Sequence, residues 1–230
     1  PTVMWLLKGY NQFHKKYLEM VRTSTENISS NVVSWTRRMV LRDPRFYLLL
    51  PAYVATPMIA TAFFFHHLNI AEAKQWDAGW ITGNYLLYAG TSIFTNVVAG
   101  SFIDRFSARK VFQYTMFPLA LAAITIGLAG NHLWVLLYMV LLGLHVGFSQ
   151  TTGAALYPEL YGVEHLGSIK SMISVLAVLS SAVGPVIIGM LIDRGLSIQT
   201  IYMLIASYVL VANILLIAAL RIVPPPIGQL

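Results

Sequence analysis

The sequence contains no cysteine, so disulfides and cysteine metal sites are excluded for this chain. Charged residues are also scarce: they make up 10% of the 230 residues, against about 25% in a typical soluble domain. So few charges do not cover the surface of a soluble protein of this size, and 57% of the residues are hydrophobic. The composition therefore predicts a protein whose main solvent is lipid.

Signatures of enzymes and of ATP-driven pumps are missing as well. No glycine-rich phosphate-binding loop is present, so ATP-driven transport would need another subunit. His66 and His67 are adjacent, but no further ligands lie near them in the sequence, and we expect neither a metal nor a cofactor. No run of residues alternates in the way that a membrane-spanning strand requires. The sequence therefore favours a helical protein that is not an enzyme.

Long apolar stretches dominate the chain instead. A helix needs about 20 mostly apolar residues to cross the hydrocarbon core, and unpaired backbone groups are costly there, so each such stretch is predicted to be a helix. Six stretches qualify, which we number spans 1 to 6: 46–68, 76–103, 111–129, 133–157, 166–192 and 201–220. The predicted fold class is an all-α membrane protein with six transmembrane helices.

The distribution of Lys and Arg predicts the orientation. Thirteen of the 15 precede span 1 or fall on that same side of the membrane, and only Lys74 and Arg194 fall on the other. Basic segments stay in the cytoplasm, so we expect both termini there, in a bacterial inner membrane. This topology accounts for the net charge of +6. Nucleic acid is not an expected partner, because the basic residues form no patch on a soluble face.

Three parts of the chain differ in composition. They are a basic cytoplasmic linker at 1–44, the six-helix domain at 45–222 and a cytoplasmic tail at 223–230. In the linker, Trp35, Met39 and Arg42 have the spacing of a short interfacial helix that Asp43-Pro44 would end, and a solvated linker is the alternative. The chain begins with Pro rather than Met, which suggests a piece of a longer protein.

One charged hexapeptide occurs twice. "GSFIDR" at 100–105 and "GMLIDR" at 189–194 share the pattern Gly-x-x-Ile-Asp-Arg, 89 residues apart. Three predicted spans separate the copies, so they lie on opposite faces of the membrane, each at the end of the second helix of a triplet. This placement predicts two three-helix repeats with inverted topology, an arrangement common in secondary transporters.

With its basic continuation, the first copy resembles the signature loop of the major facilitator superfamily. That loop reads approximately Gly-x-x-x-Asp-Arg-x-Gly-Arg-Lys, and this chain has "GSFIDRFSARK", with Ser107 where glycine is usual. "VGPVIIGMLID" and "YPELYGVEHLGSIKS" are similar to the fifth helix and the preceding loop in bacterial members related to monocarboxylate and oxalate–formate carriers. The resemblance covers 45–221 and implies the carboxy-terminal six-helix half of a twelve-helix transporter.

The resemblance implies a gating loop on the cytoplasmic side. Its residues here are Gly100, Asp104, Arg105, Arg109 and Lys110. Gly100 is expected to allow close helix approach. In the family, the aspartate at the position of Asp104 faces the start of the fifth helix, here near 166–168. The arginines are expected to pair with Asp104, Glu159 or Glu164, and a plain helix end is the alternative. Asp104→Asn is expected to reduce transport more than Asp193→Asn.

Substrate-cavity candidates lie on the first helix of each triplet, which in the family lines the central cavity. In span 4, His145, Ser149 and Thr152 share one helix face, with Gln150 beside it. A histidine in mid-membrane is a default functional candidate, and we expect its ring to point to the concave face between spans 1 and 4. A neutral histidine bonded between helices is the alternative. Span 1 contributes Tyr53 and Thr56.

These residues predict a secondary transporter half that moves a small solute, with an organic anion such as a monocarboxylate as the first expectation and a neutral solute close behind. Its expected partners are the solute, membrane lipid, and either a missing amino-terminal half or a second copy in a homodimeric carrier. The alternative from another class is a rhomboid-like intramembrane serine protease, because "GFSQ" at 147–150 resembles the Gly-x-Ser-Gly of that family.

Overall fold

The structure, a computed structural model, describes residues 34–222, and that part of the chain consists of α-helices and the turns between them. Six of its helices are long and apolar enough to cross a membrane: Pro44–Phe65, Ala78–Phe106, Ala108–Leu128, Trp134–Tyr161, Leu166–Asp193 and Ile198–Arg221. These are spans 1 to 6. Each begins and ends within four residues of the stretch predicted from the sequence, so the all-α membrane fold is confirmed.

Two of the spans are interrupted. Span 2 consists of Ala78–Gly83 and Tyr85–Phe106, and span 3 consists of Ala108–Phe112 and Met116–Leu128. The turn in span 3 lies just before Pro118, whose nitrogen carries no hydrogen and cannot bond the carbonyl of Tyr114. Hydropathy did not reveal either break, because the interrupting residues are too few to lower the apolar content of the span.

Short helices precede and follow span 1. The first is Arg37–Arg42, and the second, His67–Lys74, continues past the end of span 1 after a break at His66. The first helix ends at the predicted position before Asp43, and Asp43 then accepts a hydrogen bond from the backbone of Arg45 to cap span 1. Residues 1–33 and 223–230, which include most of the predicted linker and the tail, lie outside the described residues.

The spans are packed as a row in which few sequence neighbours touch. Span 5 packs on span 1, span 1 on span 6, span 6 on span 3, span 3 on span 4, and span 4 on span 2. Exchanging the triplets, so that spans 1, 2 and 3 take the places of spans 4, 5 and 6, reproduces the same set of neighbours. The two hexapeptide copies end spans 2 and 5, the two outer members of the row. The structure thus contains the two equivalent three-helix units that the sequence predicts.

Glycines set the distance between the outer members of the row and their neighbours. A methyl group on Gly147 of span 4 would lie 2.6 Å from the carbonyl oxygen of Ser92 in span 2, and one on Gly143 would lie 2.7 Å from that of Tyr88. At the equivalent contact between spans 5 and 1, a methyl group on Gly184 would overlap the backbone oxygen of Met58. Backbones touch at both sites, as small residues permit in membranes.

Candidate functional site

Span 1 and span 4, the first helices of the two triplets, are joined by polar side chains at one place. The hydroxyl oxygen of Thr56 lies 2.9 Å from Nε2 of His145 and 3.3 Å from the hydroxyl oxygen of Ser149. Ser149 follows His145 by one helical turn, so one face of span 4 presents both groups to the same threonine. We call Thr56, His145 and Ser149 the junction.

The second ring nitrogen of His145 fixes its tautomer. Nδ1 lies 2.6 Å from the backbone oxygen of Thr115, which only accepts hydrogen bonds, so Nδ1 carries the proton. If the ring is neutral, Nε2 accepts from the hydroxyl of Thr56, and that hydroxyl oxygen accepts from Ser149. The bonded oxygen belongs to the turn that interrupts span 3. Both ring nitrogens are therefore hydrogen-bonded, and the ring bridges spans 1, 3 and 4.

This placement corrects the expected direction of the His145 ring. The sequence predicted that it points to the concave face between spans 1 and 4, whereas its side chain is 0% exposed and bonded to span 3. Helical spacing gives the face of span 4 that carries His145, but it does not say which neighbouring helix covers that face. The alternative, a neutral histidine bonded between helices, describes this conformer. A direct role of His145 in solute binding stays a prediction.

The other cavity candidates are spread from surface to core. Gln150 is exposed, whereas Thr56 and Ser149 are half-buried. Thr152 and Tyr53 are buried, and among the described residues their hydroxyls have no hydrogen-bond partner. The structure therefore brings Thr56 to His145 and Ser149 as one group, with Gln150 beside it on the open surface.

The signature loop makes fewer ion pairs than the resemblance implies. Asp104, Arg105 and Lys110 are exposed, and no salt bridge of theirs is found in the part of the chain the structure describes. Nor does any hydrogen bond among those residues join Asp104 to the start of span 5. A methyl group on Gly100 would meet no atom within 4 Å, so within 34–222 this glycine does not serve close helix approach, contrary to the prediction.

Arg109 is the member of the loop that holds helices together. Its guanidinium donates to the backbone carbonyl of Leu220 at the end of span 6, and its backbone N–H donates to Glu159 near the end of span 4, 3.2 Å away. Arg109 therefore does meet Glu159, one of the predicted carboxylates, but through its main chain. The loop fastens the start of span 3 to the ends of spans 4 and 6.

A buried charged cluster beside this loop was not predicted from the sequence. Nη2 of Arg45 lies 2.8 Å from a carboxylate oxygen of Asp43, and both side chains are buried. The guanidinium also lies 5.2 Å from the ring centre of Trp35, whose backbone N–H donates to the carbonyl of Tyr161. Trp35, expected on an interfacial helix, is thus packed into the domain. The sequence "DPR" at 43–45, with opposite charges at the boundary of an apolar stretch, was the signal that could have predicted this ion pair.

On the opposite side of the membrane, two histidines fasten helix ends. The ring nitrogens of His67 lie 2.7 Å from the hydroxyl of Tyr85 and 2.8 Å from that of Tyr138, which joins spans 2 and 4. His66 bonds the backbone oxygen of Pro185 in span 5 and the side chain of Asn69. Both rings therefore have structural partners on this side.

Within residues 34–222, six membrane helices form two inverted triplets with a charged loop after the second helix of each, a secondary-transporter fold, and the protein is an integral membrane protein. The chain belongs to the major facilitator superfamily, whose family model, described as "Major Facilitator Superfamily", matches residues 45–229. Membership of a transporter family does not support the alternative prediction of a rhomboid-like protease. Ser149 accordingly has Thr56 rather than a histidine as its partner.

One relative has an assigned activity. The tetracenomycin C resistance and export protein of Streptomyces glaucescens is 30% identical over 123 residues, which are 54% of this chain and 22% of that protein. The match thus spans about a fifth of the relative's length.

Proposed function

We propose that this chain forms one six-helix half of a secondary active transporter that moves a small organic solute by alternating access. The observation that carries the proposal is the junction of Thr56, His145 and Ser149. It joins the first helices of the two triplets through hydroxyl and imidazole hydrogen bonds and without an ion pair. Such bonds contribute about 0.5–1.5 kcal/mol each, so they can be exchanged for bonds to a solute or to water as the triplets move apart.

For the solute, we propose an uncharged organic molecule that is exported. In this conformer both ring nitrogens of His145 are bonded within the protein, so the ring has no free N–H to offer to an anion. The spans carry no Lys or Arg at mid-depth, and the named relative exports an organic compound. An organic anion, such as a monocarboxylate, is the second candidate. It requires protonation of His145 on Nε2, which would turn Thr56 from donor to acceptor.

The solute proposal is tested in everted membrane vesicles that contain the protein. Tetracenomycin C, the compound named for the relative, is the first probe, and benzoate is the probe for a carboxylate. Thr56→Val removes the hydroxyl of the junction, and Thr61→Val changes an exposed threonine of the same span as the matched control. We expect vesicles with the wild-type protein to accumulate tetracenomycin C. Accumulation should fall about tenfold in Thr56→Val and stay unchanged in Thr61→Val. Accumulation of benzoate alone would favour the anion, and equal effects of both substitutions would contradict the role of the junction.

Spans 2 and 5 are proposed to face a second six-helix half. In each, only 11% of an 18-residue apolar stretch is buried, against 56% in span 3, and they are the outer members of the row. The second half is either an amino-terminal half of the same protein or a second copy in a homodimeric carrier. Crosslinking of a cysteine at Ile93 or Val183, both exposed, distinguishes them: a crosslink between two chains of this length indicates the dimer.

Cytoplasmic termini and a bacterial inner membrane are part of the same proposal. The chain has no cysteine, so single cysteines can report on sidedness without background. Lys110→Cys and Ala73→Cys introduce exposed thiols at opposite ends of the spans. We expect an impermeant maleimide to label Ala73→Cys in intact cells and Lys110→Cys only in everted vesicles. Labelling of both thiols from one side would overturn the topology.

We also propose that the signature loop closes the cytoplasmic side and that Arg109 is its anchor. Its guanidinium bond to the carbonyl of Leu220 links the second triplet to the loop. Arg109→Gln should slow transport at unchanged expression, whereas Arg38→Gln, an exposed arginine outside the loop, is the control. Asp104→Asn is expected to lower the transport rate more than Asp193→Asn does, because the loop after Asp193 lacks the basic pair. Equal, small effects of Asp104→Asn and Asp193→Asn would indicate that the loop is only a helix end without a gating role.

A further inference from the structure

A crevice opens on the side of the molecule where spans 2 and 3 diverge. Its volume is about 540 Å³, and its walls include the rings of Phe102, Phe106, Tyr114 and Phe148. Lys110, at the start of span 3, also lines it. The aromatic walls favour an apolar occupant, and the lysine adds a positive charge near the end of the spans.

A second crevice occupies the position that exchange of the triplets would give. It lies between spans 5, 6 and 1, has a volume of about 350 Å³, and is lined by aliphatic residues such as Ile187, Leu191 and Leu204. Its lining also includes Met58 and Tyr208, and no charged side chain. The two crevices therefore share architecture, lie towards opposite faces of the membrane and differ in charge. We call them the basic crevice and the neutral crevice.

A second cation stands over a wall of the basic crevice. The guanidinium carbon of Arg105 lies 5.3 Å from the ring centre of Phe106, which lines the crevice. Arg105 and Lys110 are both exposed, and neither forms a salt bridge within residues 34–222. The carboxylate of Asp104 is adjacent in sequence and would repel an anion, so the local charge is the sum of two cations and one anion. Arg109, by contrast, directs its guanidinium to Leu220.

We propose that the basic crevice binds an anionic phospholipid of the cytoplasmic leaflet. One acyl chain lies against the aromatic walls, and the headgroup phosphate contacts Lys110 and Arg105. The inference rests on the proposed orientation, which puts this crevice at the cytoplasmic surface, where anionic lipids concentrate. It does not depend on the identity of the solute. The neutral crevice, on the other face, holds an acyl chain without selecting a headgroup.

The experiment is native mass spectrometry of the purified protein in a mild detergent, with phosphatidylglycerol or phosphatidylcholine of identical acyl chains as the probes. Arg105→Gln/Lys110→Gln removes both cations, and Lys170→Gln removes a half-buried cation at the start of span 5, outside the crevice lining, as the control. Each cation near an anionic lipid headgroup strengthens binding about fivefold. We therefore expect phosphatidylglycerol binding to weaken at least tenfold in the double variant and to be unchanged in Lys170→Gln.

Two further measurements keep the proposal falsifiable. Phe102→Ala shortens the aromatic wall and should weaken both lipids equally, because it acts on the acyl chain and not on the headgroup. Asp104→Asn removes the repelling carboxylate and should strengthen phosphatidylglycerol binding. The proposal would be overturned if the wild-type protein bound the two lipids equally. It would also be overturned if the double variant and Lys170→Gln lost equal amounts of phosphatidylglycerol binding, since the charge of the crevice would then not determine which lipid binds.

Discussion

Asp43 and Arg45 form an ion pair, 2.8 Å between oxygen and nitrogen, that is buried at the start of span 1 although Asp43 directly follows the basic helix Arg37–Arg42. The same carboxylate accepts the backbone N–H of Arg45, so one side chain both neutralises the arginine and starts the helix. Trp35 covers the pair from the amino-terminal side.

Removing one partner of this pair should destabilise the protein more than removing both. Arg45→Met leaves a buried carboxylate without its cation, which costs about 3–5 kcal/mol. Asp43→Asn/Arg45→Met keeps the helix cap and removes both charges, so we expect it to recover much of the loss. The check is the thermal unfolding midpoint in detergent, with Arg37→Met, an exposed arginine of the preceding helix, as the control. A double variant as unstable as the single one would contradict this account.

Gly147→Ala should loosen the contact between spans 2 and 4. Its methyl group would lie 2.6 Å from a backbone oxygen, which cannot move aside as a side chain can. We expect a loss of about 1–3 kcal/mol, typical of overpacking. Gly90→Ala is the matched control in span 2, because a methyl group there meets nothing within 4 Å. Unfolding midpoints that fall equally for both variants would mean that the loss comes from the glycine change itself and not from the contact.

Ser107→Gly should stabilise the signature loop. Ser107 has φ 74° and ψ 151°, a region that is essentially reserved for glycine and costs other residues about 1–3 kcal/mol. Glycine is the usual residue at this position of the family loop, so the strain here is particular to this sequence. We expect a gain of about 1 kcal/mol in unfolding free energy. Ser101→Gly, within the helix of span 2, should instead lose about 0.5–1 kcal/mol. A loss at both positions would show that Ser107 is unstrained.

Acid should weaken the fastening of helix ends by His67. Burial lowers the pKa of His67, which lies outside the spans, from about 6.5 to about 4. Between these values the unfolded chain binds a proton that the folded chain does not, so stability contributed at neutral pH is lost as the pH falls from about 6.5 to about 4. The loss is on the order of 3 kcal/mol.

The measurement is the unfolding midpoint as a function of pH. His67→Gln cannot titrate, so its midpoint should depend less on pH over this window, although it is lower at pH 7. His132→Gln removes an exposed histidine and should keep the wild-type slope. Parallel pH curves for wild type and His67→Gln would exclude His67 as the group responsible.

Much of the fold could be predicted from the sequence, because hydropathy over some 20 residues is a property of the segment itself. The repeated Gly-x-x-Ile-Asp-Arg located the second helix of each triplet. The sequence also predicts that the glycines of span 4, Gly143, Gly147 and Gly153, permit tight helix packing rather than ligand approach, and Gly143 and Gly147 do lie against the backbone of span 2. At Gly153 the nearest atom is 3.8 Å away, an ordinary contact. Local patterns therefore identified the elements and one of their interfaces.

The candidate site was predicted less completely, since it depends on which helix covers which face. Helical spacing put His145 and Ser149 on one side of span 4, and their common partner Thr56 was also a candidate. The partner that decides the orientation of the ring, the carbonyl of Thr115, is a backbone atom at a break in span 3. No side-chain pattern marks such an atom. For the same reason, the sequence did not predict the hydrogen bond from Arg109 to the carbonyl of Leu220.

The order of the row has a consequence for how the protein is made. Of the neighbouring pairs in the row, only spans 3 and 4 are consecutive in sequence, while span 1 packs on spans 5 and 6 and span 2 on span 4. A ribosome that adds about 5–20 residues per second needs roughly ten to thirty seconds to go from the end of span 1 to the end of span 6. During that time the faces of span 1 that spans 5 and 6 later cover are open to lipid or to a membrane chaperone. Correct assembly therefore depends on how long span 1 stays folded in the bilayer before spans 5 and 6 are synthesised and inserted.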